Sequence, residues 1–216
     1  MKIFLDTANI DQIKQAAALG IISGVTTNPT LLSKEATSDY EAVTRKICAI
    51  VSGPVSVEVL AEDAAAMIKE ARLKAAWAPN VNIKIPITAE GLKATTVLSR
   101  EGIKVNMTLC FSANQALLGA LAGATYVSIF VGRLDDAGHD GMQVVQDTLD
   151  ILKNYPDLSA QVIAASIRHP LHCIAAAKAG VHVATVPYGV LMQMLQHPFT
   201  EAGIKRFLAD WQRVAK

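Results

Sequence analysis

The chain has 216 residues, of which 51% are hydrophobic but only 5% aromatic, and its net charge is +1. That length suits one large domain or two small ones, and a core of Ala, Val, Ile and Leu fits parallel strands covered by helices. A near-neutral charge without a Lys/Arg block argues against a nucleic-acid surface, and no apolar segment reaches membrane-spanning length.

Lys2–Leu5 reads as a first short strand ending at Asp6-Thr7. Asn9 or Thr7 caps a helix over about Ile10–Leu19, which Gly20 ends. Ser23–Thr27 is a second strand, closing at Thr26-Thr27-Asn28, and Pro29 opens a helix. A longer helix follows from about Ser38, as N-cap, to Val51. Val55–Leu60 is a third strand, Ala64–Lys74 a helix, and Val81–Ile85 a fourth strand. Pro86 removes a ladder donor and closes that strand, and Thr88 caps the next helix, with Gly91 a weak spot in its first turn. Lys104–Thr108 is the fifth strand and Ser112–Ala122 its helix. Thr125–Phe130 is the sixth, followed by a loop shaped by Gly132 and Gly138 and a helix over Asp140–Asn154. Gln161–Ala165 and Val181–Thr185 are the seventh and eighth strands, separated by a helix over Pro170–Ala179. Two helices end the chain, about Tyr188–Gln196 and Thr200–Val214.

Eight strands alternating with helices close naturally into a (β/α)₈ TIM barrel, one domain over residues 1–216. An open doubly wound sheet would announce a dinucleotide site with GxGxxG after strand one, where DTANID has no glycine. Residues 199–216 form an extra C-terminal helix with no strand after it. Its Phe207, Leu208, Trp211 and Val214 call for a partner surface, a neighbouring subunit. Cys48, Cys110 and Cys173 make no CxxC pair, and an odd count suits a reducing compartment. MKIFLDTANI lacks the apolar core of a signal peptide, so the expected location is cytoplasmic.

In such a barrel the strand C-termini share one pocket. The polar residues at those ends are Asp6, Thr26-Thr27-Asn28, Glu58, Lys84, Asn106 with Thr108, Ser128 with Arg133, and Ser166 with Arg168. Strand eight, ending in Thr185-Val186-Pro187, offers less. Each also has a structural reading: Asp6 as a helix cap, Lys84 as a snorkelling or carboxylate-paired lysine, the arginines as surface ion pairs. An amine among apolar neighbours, with guanidinium groups nearby, should have a depressed pKa and attack a ketone to form a Schiff base. Glu58 and Asp6 are placed for proton transfer, Thr108 for holding a water, and Arg133 and Arg168 for a phosphate. The expected chemistry is an aldol reaction on a phosphorylated sugar, with no metal and no cofactor. His169 and His172 stand at i, i+3 but match no zinc spacing, and read as helix-start residues.

Several motifs carry a resemblance over essentially the whole length. They are FLDT at Phe4–Thr7, GVTTNPTLL at Gly24–Leu32, VEV at Val57–Val59, KIPITAEGL at Lys84–Leu92 and NMTLCFSANQALLGALAGA at Asn106–Ala124. FVGRLDDAGHDG at Phe130–Gly141, AASIR at Ala164–Arg168 and HPFTEAGIKRFLADW at His197–Trp211 continue it. The chain resembles the small, single-barrel transaldolase/fructose-6-phosphate aldolase family, of the transaldolase type. The resemblance implies Lys84 as Schiff-base lysine, Asp6 as acid/base, and Glu58 with Thr108 on the catalytic water. It implies Asn28, Asn106 and Ser128 on the dihydroxyacetone part, and Arg133, Ser166 and Arg168 on the phosphate. It also implies a decamer of two pentamers that exchange the terminal helix. Ile129 departs from the family's usual Pro.

Two positions separate the family's two activities. The aldolases carry Gln in place of Glu58 and Tyr in place of Phe130. Phe130 cannot donate the hydrogen bond that a Tyr hydroxyl would give to water or intermediate. The resemblance therefore implies transfer of a dihydroxyacetone unit to an aldose, within the pentose phosphate pathway. Release of free dihydroxyacetone is the alternative.

Overall fold

The computed structural model describes residues 1–35 and 39–214. Eight parallel strands close into a barrel in chain order, and β1 (Lys2–Asp6) pairs with β8 (Val183–Pro187) to complete it. Between them run β2 (Ile22–Thr26), β3 (Val55–Glu58), β4 (Val81–Pro86), β5 (Val105–Cys110), β6 (Tyr126–Phe130) and β7 (Gln161–Ala165). The outer layer is α1 (Ile10–Ala18), α2 (Pro29–Leu32), α3 (Tyr40–Ile50), α4 (Ala64–Ala75), α5 (Ala89–Arg100) and α6 (Ala113–Leu121). It continues with α7 (Val131–Asp136), α8 (Gly141–Lys153), α9 (Pro170–Ala179), α10 (Tyr188–Leu195) and α11 (Pro198–Val214). Among the described residues, no helix is long and apolar enough to cross a membrane.

Alternation along each strand splits the apolar residues into two cores. The outward set, including Ile83, Ile85, Met107, Val127 and Val162, is buried under the helices with Ile47, Met67 and Leu98. Each such side chain contributes about 2 kcal/mol when taken from water. The inward set is smaller: Phe4, Tyr126, Ile163, Ala165 and Val183 form their own cluster inside the barrel. The Phe4 and Tyr126 rings meet edge to face at 5.9 Å. Asp6, Lys84, Thr108 and Ser128 stand toward the strand C-termini, while Ser56 and Asn82 are buried near the N-terminal ends of β3 and β4.

Short polar residues start α1–α6 and α8, each satisfying a first-turn N–H and adding about 1 kcal/mol. Asn9 accepts from Gln12, Thr88 from Gly91 and Ser112 from Gln115. Asp39 caps α3, accepting from Ala42; the Ser38 expected there lies outside the described residues. Gly91 proves to be a close-approach position, not a weak spot. A Cβ there would come within 2.1 Å of the Pro86 carbonyl, so glycine lets α5 sit directly on the end of the strand that carries Lys84.

Three expectations need correction. The stretch after β6 is not a loop but the helix α7, and Gly132 sits in its first turn. Strand five does not stop at Thr108. It runs to Cys110 through a register shift, with Leu109 at φ 59°, and no glycine in the sequence marks that bulge. Strand eight lies two residues further on than expected, at Val183–Pro187, with Thr185 at its centre.

Candidate active site

β3, β4 and β5 are in register so that Glu58 stands beside Lys84 and Lys84 beside Asn106. The Lys84 amine lies 3.0 Å from Glu58 Oε2, and the two side chains are 7% and 15% exposed. It also donates to the Thr27 carbonyl at 3.1 Å. The plainer reading of Lys84, a lysine paired with a carboxylate, is therefore realised. It does not exclude the chemical one, because the pair faces a cavity and gives the amine a base to which its proton can pass.

That cavity, about 190 Å³, sits at the strand C-termini. Asp6, Asn28, Lys84, Asn106, Thr108, Ser128, Phe130, Arg133, Ser166 and Arg168 all line it. Glu58 is not part of the lining; it touches the cavity through Lys84. Ten of the candidate residues thus face one cavity, with Glu58 lying behind Lys84.

Asp6 receives a hydrogen bond from the Thr26 hydroxyl at 2.7 Å, and Thr26 is 2.5 Å from the Thr185 hydroxyl. Burial raises the Asp6 pKa above its ordinary 3.8, outweighing the Lys84 charge and the Thr26 hydrogen bond, which lower it. A carboxyl tuned upward in this way suits giving and taking protons. Across the cavity, Ser128 donates to Asn106 Oδ1 at 2.7 Å, and Asn106 Nδ2 donates to Ser56 at 3.1 Å. The chain fixes the orientation of the Asn106 amide. The Thr108 hydroxyl, by contrast, is buried with no hydrogen-bond partner among the described residues. Such a group is available to a water or a substrate oxygen.

The cationic side is built from α7 and the β7–α9 turn. Arg133 lies over the Phe130 ring, 5.0 Å from its centroid. Arg168 pairs with Asp136 at 2.6 Å, so the surface ion-pair reading holds for this arginine, although it also lines the cavity. Ser166 adopts φ 58°, a left-handed conformation rare for a non-glycine residue. Its carbonyl accepts from Gly132 N–H at 3.1 Å. A Cβ on Gly132 would lie 2.0 Å from that carbonyl, so glycine is what lets α7 dock on the turn. Asn28 caps α2 by accepting from Leu31 at 2.9 Å.

Several supporting residues were not foreseen. Thr185 was expected to offer little, yet it lines the cavity; its signal was the Val183, Thr185 alternation. Tyr40 and Lys74 hold the Glu58 peptide from behind. Glu58 N–H donates to the Tyr40 hydroxyl at 2.9 Å, and Lys74 donates to the Glu58 carbonyl at 2.7 Å. Burial pushes the Tyr40 hydroxyl up to about 12, keeping it neutral. Lys74 is anchored by Glu70 at 2.6 Å and lies over the Tyr40 ring. Nothing in the spacing of Tyr40, Lys74 and Glu58 marks them as neighbours. His169 caps α9, as its position predicts.

An amine set at the mouth of a closed eight-stranded barrel, between carboxylates and guanidinium groups, is the equipment of a lysine-dependent aldol enzyme. The chain belongs to the transaldolase/fructose-6-phosphate aldolase family, whose model matches residues 3–216. It is 63% identical over 217 residues to a probable transaldolase of Dehalococcoides mccartyi, and 61% identical over 216 residues to one of Desulforudis audaxviator. A third probable transaldolase, from an Anaeromyxobacter species, is 54% identical over 216 residues. All three alignments span 100% of both chains.

Proposed function

We propose that this chain is a transaldolase. It moves a dihydroxyacetone unit from fructose 6-phosphate or sedoheptulose 7-phosphate to erythrose 4-phosphate or glyceraldehyde 3-phosphate, in the pentose phosphate pathway of the cytoplasm. The observation that carries the reading is the buried Lys84 amine, 3.0 Å from Glu58 and facing the cavity that Asp6 lines. The full-length relatives named probable transaldolase support the same activity.

Lys84 passes a proton to Glu58 and attacks the C2 carbonyl of the ketose. The carbinolamine loses water, held between Glu58 and the Thr108 hydroxyl, to give an iminium. Asp6 takes the proton of the C4 hydroxyl, the C3–C4 bond breaks, and its electron pair moves into the iminium to give an enamine. The aldose leaves. An acceptor aldose then enters, the enamine carbon attacks its carbonyl, and Asp6 returns its proton to the new hydroxyl. Water releases the product ketose and restores the amine. Asn28, Asn106 and Ser128 hold the hydroxyls of the three-carbon unit. Arg133, Ser166 and Arg168 receive the phosphate.

Transfer rather than release follows from the water being denied a donor. Phe130 is half-buried against Phe111 at 5.7 Å and offers no hydroxyl. Phe130→Tyr is expected to raise free dihydroxyacetone formation from fructose 6-phosphate alone by about tenfold relative to transfer, a change of about 1.4 kcal/mol in relative barriers. Assays with and without erythrose 4-phosphate give this ratio. An unchanged ratio removes Phe130 from the explanation. For the wild type, the same assays test the function: sedoheptulose 7-phosphate should form, with little free dihydroxyacetone.

α11 (Pro198–Val214) packs on a neighbouring subunit of a decamer built from two pentamers. In support, the helix buries none of its residues within its own chain, and Phe207 and Trp211 are 73% and 67% exposed. Ile204, Phe207, Leu208 and Trp211 form one stripe at helical spacing. Phe207→Glu with Trp211→Glu should yield smaller species by light scattering. Assembly at wild-type size would remove α11 from the interface.

A further inference from the structure

We propose that His172 is a positioning residue for the phosphate-binding side of the cavity. Its neutral imidazole ties α7 to the β7–α9 turn, and a second proton on the ring releases that tie. This inference rests on the assignment of Arg133, Ser166 and Arg168 to the phosphate under the proposed function, and deepens it.

His172 stands in the first turn of α9 and is 7% exposed. Its Nδ1 accepts the backbone N–H of Arg168 at 3.2 Å. Its Nε2 lies 2.8 Å from Asp135 Oδ2, in the last turn of α7. The other oxygen of Asp135 accepts from Gly141 N–H at 2.8 Å, at the start of α8. A neutral ring with its proton on Nε2 satisfies both contacts at once, donating to Asp135 and accepting from Arg168. One side chain thus joins the helix that carries Arg133 to the turn that carries Ser166 and Arg168. A doubly protonated ring has no acceptor left, and the Arg168 N–H loses its partner.

The titratable and charged groups facing the ring are His169 from the start of α9, Asp135 from α7 and Arg168 from the turn. The His169 and His172 ring centroids are 3.8 Å apart. Burial is the largest influence and holds the His172 pKa below its ordinary 6.5. The neighbouring His169 adds to this, Asp135 opposes it, and Arg168 lowers it further. With the folded value depressed, the unfolded chain binds the proton more readily. The tie is therefore intact above pH 6.5 and is lost as pH falls through the lowered folded value.

Sulfate is the probe, because its charge is constant from about pH 5 to pH 8, the range in which histidine titrates. Its affinity is measured by calorimetry on wild type, His172→Asn and His172→Gln, alongside kcat and KM for fructose 6-phosphate. Asn places an oxygen where Nδ1 stood and cannot take up a proton; Gln leaves that place without an acceptor. The expected results are three. Wild-type sulfate affinity falls by about tenfold toward pH 5 relative to His172→Asn. His172→Asn, which keeps the acceptor for the Arg168 N–H but not the donor to Asp135, raises KM less at pH 8 than His172→Gln does. His172→Gln raises KM about tenfold at pH 8 with little change in kcat. A merely structural histidine would lower the melting temperature in both variants without separating their KM values. The inference is overturned by equal pH dependence in wild type and His172→Asn, by an unchanged KM in His172→Gln, or by no sulfate binding to wild type at pH 8. The sulfate measurements need no turnover, so absent transferase activity would defeat the functional reading and leave this test standing.

Discussion

Lys84→Met is expected to lower ketose turnover by on the order of 10⁴-fold or more, since no other described residue lining the cavity carries an amine to form the covalent intermediate. Neither Arg133 nor Arg168 can replace it, because guanidinium groups stay protonated. The loss should appear in kcat under saturating fructose 6-phosphate, while binding of the phosphate end survives. The same substitution should also destabilise the fold. Glu58 is left 15% exposed and without the Lys84 amine that now lies 3.0 Å away. Removing one partner of a buried pair costs about 3 kcal/mol. Adding Glu58→Gln to Lys84→Met should therefore recover much of the melting temperature and none of the activity. If the single variant retains more than about one part in a hundred of the turnover, catalysis does not pass through a Lys84 Schiff base.

Asp6→Asn is expected to lower kcat by about 10²–10⁴-fold and, at neutral pH, to raise thermal stability. The two effects have one cause. Burial raises the Asp6 pKa above 3.8, so the folded chain holds its proton more firmly than the unfolded chain does. Stability attributable to this group is fully present below pH 3.8 and is lost as pH rises through the raised folded value. Above that value the ionised carboxylate strains the native state, and Asn, which never ionises, removes the strain. Asn can also keep an acceptor for the Thr26 hydroxyl, now 2.7 Å from Oδ1. Melting curves of wild type and variant should therefore draw apart as pH rises from 3.8 toward neutrality. A variant less stable than wild type at pH 7 would mean that the ionised Asp6 is held by its neighbours rather than strained by burial.

The barrel and its mouth were legible because each rests on a local signal. Asp6, Glu58, Lys84, Asn106, Ser128 and Ser166, in or just after strands, break an otherwise apolar alternation, and the fold brings them to one rim, Glu58 through its contact with Lys84. Caps at Asn9, Thr88 and Ser112 were readable for the same reason, since the capping residue acts on its own first turn. What stayed hidden depends on contacts between distant segments. The clamp of Tyr40 and Lys74 on Glu58 joins α3, α4 and β3 through the backbone of Glu58, which carries no residue-specific mark. Gly91 looked like a defect in a helix until the carbonyl of Pro86 was seen beneath it. The bulge at Leu109 has no glycine to announce it, and α7 has an N-cap, Phe130, with no capping side chain. The division of roles among the polar residues came from the resemblance alone; the geometry adds that Glu58 lies against Lys84 and meets the cavity only through it.

The most direct test is to add fructose 6-phosphate, reduce with borohydride, and locate the adduct by peptide mass spectrometry. The account predicts one modified residue, Lys84, carrying the reduced three-carbon unit or the whole ketose, and no adduct in Lys84→Met. A reduced adduct on any other lysine, or none on Lys84 while the enzyme is turning over, would contradict it.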